Sequence, residues 1–296
     1  MKLKQALGAV AVLALASTAQ AAGFVNGGFE TGDTTGWIEG DGYRGNVLNN
    51  ALVPTDFLPG GSKYISTRND SQVISSSYVD PMVGALLGST VHSGNHALRA
   101  QDTNTGGYAS VITQTVNGYT DPNIYFAWKA VLQGAHGIND AATVQVRLID
   151  LSDNNNVLVN RAYNAASGGG GVDSIFSSSG GFFYTPQWQT EQIAIDASLS
   201  GHNFQLLVLA ADCQPTGHRG YAYLDGFGAA PPANDVPEPA SLALVGLALA
   251  GAAALQAARR PAALQRRGPA RLARAGIQES RIGRRIRLRA RAGPGL

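Results

Sequence analysis

The stretch Thr143-Val144-Gln145-Val146-Arg147-Leu148-Ile149-Asp150 alternates apolar and polar side chains. Successive side chains of a β-strand point to opposite faces, so the apolar residues at even positions share one face, while Gln145 and Arg147 point the other way. One apolar face and one polar face are typical of an antiparallel strand. The Asp- and Asn-rich segment Ser152–Asn156 then predicts a hairpin turn into a second strand at Val157–Val159.

The same alternation recurs along most of the chain. Further strands are predicted at Tyr108–Val116, Ile124–Leu132, Gln189–Ile195, Phe204–Ala211 and Tyr221–Phe227. No amphipathic helix is predicted between them. Many short strands joined by turn-rich connections predict an all-β fold, an antiparallel β-sandwich of the jelly-roll type.

Three other segments of this region read as connections. Glycine- and serine-rich composition predicts flexible loops at Ser167–Gly171 and Ser177–Gly181, at one end of the sandwich. The weak periodicity of Asn49–Met82 predicts a long loop or an inserted hairpin.

The charge of this chain is distributed unevenly. The full sequence carries a formal charge of +2, but residues 23–235 contain eighteen acids and eight bases, a net charge of −10. Such a surface repels nucleic acid and favours cations or neutral polymers such as glycans. Cys213 is the only cysteine, so no intrachain disulfide can form.

The N-terminus carries a second kind of pattern. Lys2 and Lys4 precede an apolar stretch, Ala6–Ala16, which ends at the small-residue site Ala19-Gln20-Ala21. This order is that of a secretory signal peptide. Residues 1–21 are therefore predicted to direct export and to be removed.

The C-terminal region reads as a membrane-handling signal. Val236-Pro237-Glu238-Pro239 precedes Ala240–Ala258, nineteen residues without a charge, and then Arg259 and Arg260. That length is close to the ~20 residues that a helix needs to cross a bilayer. Its Ala- and Gly-rich composition predicts marginal insertion, and the arginines favour a cytoplasmic C-terminal end. The prolines hold the approach to the membrane extended.

This combination resembles the PEP-CTERM sorting signal of Gram-negative bacteria. The resemblance rests on Val236, Pro237, Glu238, Pro239 and the basic pair Arg259 and Arg260. It implies recognition by an exosortase, cleavage near the Pro-Glu-Pro motif, and a link to exopolysaccharide and biofilm matrix. An ordinary single-span anchor with a proline-rich neck is the alternative.

The chain continues past the basic pair, which is a departure from that pattern. Residues 261–296 contain ten arginines and one acid, Glu279, and no aromatic residue. Clustered arginines suit phosphate or anionic lipid. The Arg/Ala/Gly/Pro bias instead favours a disordered tail translated from a GC-rich frame.

The resulting organisation is a signal peptide at 1–21, a β-sandwich at 22–230, a linker at 231–235, the sorting signal with its hydrophobic helix at 236–260, and an arginine-rich tail. The predicted route is export, an inner-membrane intermediate, and then the cell surface or the extracellular space.

Three fragments of the body resemble carbohydrate-binding modules of the galactose-binding-like jelly-roll type. They are Asn26-Gly27-Gly28-Phe29-Glu30-Thr31-Gly32 with Thr35-Gly36-Trp37, the stretch His92–Arg99, and Gly220–Asp225. The resemblance implies a structural Ca²⁺ with Glu30 and Asp225 as ligands and a backbone carbonyl near Asn95. Carboxylate and carbonyl oxygens suit this ion. The alternative is that both carboxylates accept hydrogen bonds at turns and strand ends.

A second resemblance concerns Asp212–Tyr221, which is similar to a loop of exported PEP-CTERM and adhesin-like β-domains. It allows Asp212, His218 and Asp225 to converge on one ion. A hydrogen-bonded loop histidine is the alternative. Cys213 is interpreted as a small buried apolar residue without activity.

Aromatic side chains provide the candidate ligand-binding residues. Trp37 and Trp188 are predicted to be buried. Trp128 and Tyr125, with Tyr119 beside them, are candidates for stacking on a sugar ring on a concave face, with core packing as the alternative for Trp128.

These observations leave three hypotheses for function. The first is a non-enzymatic surface or matrix protein with a Ca²⁺-stabilised jelly roll. The second is a module that binds matrix polysaccharide. The third is a secreted glycoside-active enzyme, although no G-x-S-x-G, H-E-x-x-H, P-loop or dinucleotide-binding pattern is present and no acid pair stands out.

Overall fold

A computed structural model describes residues 23–231 of the 296-residue chain. The predicted signal peptide (1–21), sorting signal (236–260) and arginine-rich tail (261–296) lie outside the described residues, as does nearly all of the linker. Within residues 23–231, no helical segment is long and apolar enough to span a bilayer.

Twelve strands and four short 3-10 turns make up the described region. The strands are β1 (Ile38–Tyr43), β2 (Gln72–Ser75), β3 (His96–Ala100), β4 (Tyr108–Tyr119), β5 (Asn123–Gln133), β6 (Thr143–Asp150), β7 (Asn156–Asn164), β8 (Ser177–Ser179), β9 (Phe182–Tyr184), β10 (Gln189–Ala194), β11 (His202–Ala211) and β12 (Gly220–Gly228). The 3-10 turns are Asn49–Ala51, Pro54–Phe57, Gly84–Leu87 and Ser167–Gly169.

The strands form two antiparallel sheets. The five-stranded sheet has the order β1-β4-β11-β6-β7, and the seven-stranded sheet has the order β2-β3-β12-β5-β9-β8, with β10 also paired to β5. Every recorded strand pair is antiparallel, so the predicted all-β antiparallel sandwich is confirmed.

The main core lies between the sheets. It contains the even-numbered apolar residues of β5 and β6 and the matching residues of β11 and β12. An aromatic group closes one end of this core, where the Trp37 and Phe227 rings meet at 4.9 Å and Phe126 stacks on Phe227 at 5.6 Å. Burying side chains of this size supplies a large part of the hydrophobic stabilisation.

Long connections cover part of each outer face. Residues 47–58 pack on the five-stranded sheet, where Phe57 is buried against Val111 and Leu209. Residues 78–91 pack on the seven-stranded sheet, and Tyr221 and Tyr223 donate hydrogen bonds to the buried Asp80 there. The outer faces of both sheets are therefore partly shielded from solvent, although the alternation of polar and apolar residues predicts a solvent-exposed face.

The predicted connections are only partly loops. Residues 49–82 contain two 3-10 turns and the strand β2, while Ser177–Ser179 forms β8 and pairs with β9 instead of remaining a free loop. A three-residue strand of serines carries no apolar alternation, so the sequence pattern does not reveal it.

Lys129 joins β5 to residues 78–91 and to the connection between β9 and β10. Its ammonium group is buried and donates hydrogen bonds to the carbonyl oxygens of Leu87 at 2.5 Å and of Ser89 and Pro186 at 2.9 Å. The ring of Trp188 lies 5.5 Å from the nitrogen. Burial lowers the pKa of Lys129 to about 8, so the group is charged at mildly acidic pH.

We expect Lys129→Met to lower the free energy of unfolding by about 2–4 kcal/mol at pH 6, because three carbonyl groups lose a charged donor. Denaturant unfolding monitored by tryptophan fluorescence measures this. Lys63→Met is the matched control, since the Lys63 side chain makes no hydrogen bond within residues 23–231. Equal stability of the two variants would contradict the role given to Lys129.

Candidate functional site

Glu30 and Asp225 receive hydrogen bonds from one short segment that precedes β3. Asp225 Oδ2 accepts from the backbone N–H groups of His92 at 2.8 Å and Ser93 at 2.9 Å. The Glu30 carboxylate accepts from those of Asn95 at 2.9 Å and His96 at 3.0 Å. The two predicted ligands are therefore held beside each other by residues 92–96. These bonds also match the alternative of strand-end hydrogen bonding.

The second oxygen of Asp225 is the feature that suits a cation. Oδ1 is buried and has no hydrogen-bond partner among the described residues. Burial is the main reason that the pKa of Asp225 rises to about 7, and the nearby Glu30 carboxylate adds to the rise. A buried carboxylate oxygen without a donor costs free energy that a cation would offset. The two carboxylates supply oxygen atoms of the kind that Ca²⁺ binds, whereas the backbone groups that face them are N–H donors and cannot be ligands.

Two glycines allow these groups to approach so closely. Gly94 has φ +69°, and a Cβ at that position would lie 2.4 Å from Glu30 Oε1. A Cβ on Gly27 would lie 1.8 Å from the carbonyl oxygen of Phe227. Glycine is therefore required at both positions. The Asn95 carbonyl, the predicted third ligand, already accepts a hydrogen bond from Ser76 N–H at 2.9 Å.

Asp212 does not join this pair. It is buried near the start of β12 and accepts hydrogen bonds from the N–H groups of Gly107 at 3.1 Å, Tyr108 at 3.3 Å and Gly220 at 3.4 Å. Asp225 lies on β12 five residues after Gly220, which is about 17 Å from Gly220 at the rise of an extended chain. Burial raises the pKa of Asp212 to about 7 as well.

His218 also lies apart from Asp225. Its Nδ1 is 3.4 Å from Cys213 Sγ and 3.1 Å from His136 Nε2. The structure therefore does not bring Asp212, His218 and Asp225 together on one ion. The fold places Asp225 at the opposite end of β12 from the other two residues.

Trp128 and Tyr125 cannot form one sugar-binding surface. They are three residues apart on β5, and an odd separation along a strand places side chains on opposite faces. Trp128 lies in the core between the sheets with 1% of its surface exposed, donates to Glu191 Oε1 at 3.2 Å and packs on Tyr163. Tyr125 is half-buried on the outer face. Trp128 is therefore a core residue, and the prediction that a sugar ring stacks on it is wrong.

The other aromatic candidates are also accounted for by packing. Tyr119 is buried in the main core and donates to the Asn123 carbonyl. Trp37 is in the same core, whereas Trp188 is half-buried on the outer face of the seven-stranded sheet and donates to the Ser89 carbonyl.

A polar groove opens on the outer face of the five-stranded sheet, along β6 and β7 beside residues 49–52. Its volume is about 280 Å³, and its lining includes Asn50, Asn139, Thr143, Gln145, Arg147, Ala162 and Asn164. The atoms Gln145 Oε1 and Arg147 Nε are inaccessible to solvent and have no hydrogen-bond partner in the described part of the chain. An amide oxygen and a guanidinium N–H in one groove can bind hydroxyl or carboxylate groups.

The alternation of Gln145 and Arg147 with Val144 and Val146 predicts that two long polar side chains share one face of the strand. Local alternation indicates no role for them, because it does not reveal that Asn49, Asn50 and Leu52 line the groove beside that face.

Comparison with known proteins identifies the C-terminal segment. Residues 235–260 match the PEP-CTERM protein-sorting motif, which confirms the prediction made from Val236-Pro237-Glu238-Pro239 and the basic pair. The motif indicates an exported protein with a membrane-anchored intermediate. None of the curated proteins compared with this chain matches it.

The body is similar to solved β-sandwich structures at low identity. TmCBM61 in complex with β-1,4-galactotriose is 12% identical, with 70% of this chain and 96% of that chain covered and a TM-score of 0.36. The non-crystalline cellulose specific module CBM28 is 9% identical (70% and 95%, TM-score 0.35). Caldicellulosiruptor saccharolyticus CBM27-1 in complex with mannohexaose is 14% identical (70% and 96%, TM-score 0.33).

Proposed function

We propose that this chain is an exported, non-enzymatic cell-surface or matrix protein that is processed by an exosortase at Pro237-Glu238-Pro239 and is associated with exopolysaccharide in a biofilm. The observation that supports it most directly is the sorting motif at residues 235–260. The acidic body, at −10, suits an exported protein that does not bind nucleic acid.

We expect Pro237→Ala with Pro239→Ala to block processing, because alanines let a helix extend into the segment that the protease must hold extended. The precursor should accumulate in the membrane fraction, with its C-terminus intact by mass spectrometry. Pro232→Ala, four residues or more from the motif, should be processed normally. Equal processing of all three forms would contradict an exosortase route.

As the role of the sandwich, we propose that the groove of Gln145 and Arg147 binds a hydroxyl-rich polysaccharide of the matrix. The groove lining supports this, because the amide side chains of Asn50, Asn139 and Asn164 and the half-buried Arg147 offer hydrogen-bond donors and acceptors to sugar hydroxyls. The groove lining contains several amide side chains and one aromatic residue, Tyr163, whose ring packs on Trp128 and Phe176, so hydrogen bonds would dominate recognition.

We expect Gln145→Ala with Arg147→Ala to weaken retention by matrix polysaccharide about tenfold in affinity electrophoresis, equivalent to about 1.4 kcal/mol. Gln192→Ala, on the exposed surface of β10, should bind as the unchanged protein does. Absence of retardation of the unchanged protein by any matrix polysaccharide would refute glycan binding, and release of reducing sugar would favour the glycoside-active alternative.

We further propose that Glu30 and Asp225 hold a structural Ca²⁺. The ion would replace the missing partner of Asp225 Oδ1 and would tie residues 92–96 to β12. Its contribution would be stability and not chemistry.

Added Ca²⁺ should raise the midpoint of thermal unfolding, since an ion that binds only the folded state stabilises it by about 2.7 kcal/mol at a hundred times its Kd. Asp225→Asn and Glu30→Gln should abolish the shift, whereas Asp153→Asn, an exposed acid in the β6–β7 turn, should retain it. An unchanged midpoint with Ca²⁺ or a chelator would exclude the ion.

A further inference from the structure

Three metal-ligating side chains meet at one end of the sandwich, at the opposite end of β12 from Asp225. His136 lies in the connection from β5 to β6, while Cys213 follows β11 and His218 precedes β12. One ligand atom from each residue lies within 4.8 Å of the other two. From the sequence alone, Cys213 is predicted to have no activity, and His218 is predicted to share an ion only with carboxylates.

Two of the three separations between ligand atoms are close to those of ligands that share an ion, and the third is within 4.8 Å. With Zn–N bonds of about 2.0–2.1 Å and a Zn–S bond of about 2.3 Å, tetrahedral geometry puts two nitrogens about 3.3 Å apart and nitrogen and sulfur about 3.5 Å apart. The observed distances are 3.1 Å between His136 Nε2 and His218 Nδ1, and 3.4 Å between His218 Nδ1 and Cys213 Sγ.

Hydrogen bonding alone accounts poorly for this cluster. His218 Nδ1 faces both the thiol and the second imidazole, yet a neutral ring nitrogen offers either one proton or one lone pair. His218 Nδ1 can therefore make a good hydrogen bond to only one of these two neighbours. A cation between the three atoms would satisfy all of them together.

Backbone hydrogen bonds hold the cluster in place. Cys213 N–H donates to the His218 carbonyl at 2.8 Å, and His218 N–H donates to Cys213 Sγ at 3.2 Å. Gln214 N–H donates to the Asp140 carbonyl at 2.7 Å, which joins this loop to the one that carries His136. Ligands on loops fixed in this way lose little conformational entropy on binding.

The types of ligand atom suit a transition-metal ion. Cys213 is fully buried, and its thiol would lose its proton to solvent when a metal ion binds. Both histidines are only half-buried, so solvent can supply a fourth ligand. Soft sulfur with imidazole nitrogen selects transition ions over Ca²⁺, which takes oxygen ligands.

We propose that His136, Cys213 and His218 bind one Zn²⁺ ion, with a fourth ligand from solvent. This site is separate from the carboxylate pair and does not depend on glycan binding. A bound ion would also protect the thiol of Cys213 from oxidation outside the cell, where this thiol has no second cysteine in the chain to pair with.

The test uses the full chain purified in detergent, reduced and freed of metal with a chelator. Zn²⁺ should bind at one ion per chain in a competition titration, and excess Ca²⁺ should not displace it. Cys213→Ser and His218→Gln should each weaken binding more than about a hundredfold. His202→Gln, a histidine paired with Asp150 elsewhere, should bind normally.

Cobalt substitution gives an independent readout of the sulfur ligand. Co²⁺ should produce a thiolate-to-metal charge-transfer band in the near ultraviolet, and Cys213→Ser should remove it. His136→Gln, in a surface loop, provides a second variant if Cys213→Ser does not fold. Absence of that band, or Zn²⁺ affinity unchanged in both histidine variants, would overturn the proposal.

Discussion

Burial of the even-numbered side chains of β5 between the two sheets is the constraint on which the rest of the structure depends. Once Phe126 and Trp128 face the inter-sheet core, the pleat forces Tyr125 and Lys129 onto the outer face. Lys129 can then bind the carbonyls of the covering segment, and that segment buries Tyr221 and Tyr223 of the neighbouring β12. A shift of one residue in β5 would reverse all of these assignments.

Two groups of polar side chains lie where this core ends. Asp225 and Glu30 meet at one end of β12, and Asp212 with the His136, Cys213 and His218 cluster lies at the other. Strand ends and loops concentrate such groups, because backbone donors left unpaired by the sheets are available to carboxylates there. On the outer face of the five-stranded sheet, the groove at Gln145 and Arg147 is bordered by residues 49–52.

The two functional parts of the chain are independent in physical terms. The sorting motif at 235–260 acts through local sequence: a proline break, an apolar run and a basic pair. The groove and the carboxylate pair of the sandwich depend on long-range folding. In the proposed function, the motif directs delivery of the protein, whereas the groove and the carboxylate pair are the proposed binding sites.

The amino-acid sequence by itself determined the sorting signal, the all-β class and the positions of the long strands, because each depends on local order or on period-two alternation, as at Thr143–Asp150. The resemblance also paired Glu30 with Asp225, which the structure places side by side. Only the tertiary structure decided that Trp128 is core and that Asp212 is remote from Asp225. It alone brought His136 to Cys213 and His218, since contacts across about 80 residues depend on sheet order, which alternation does not encode.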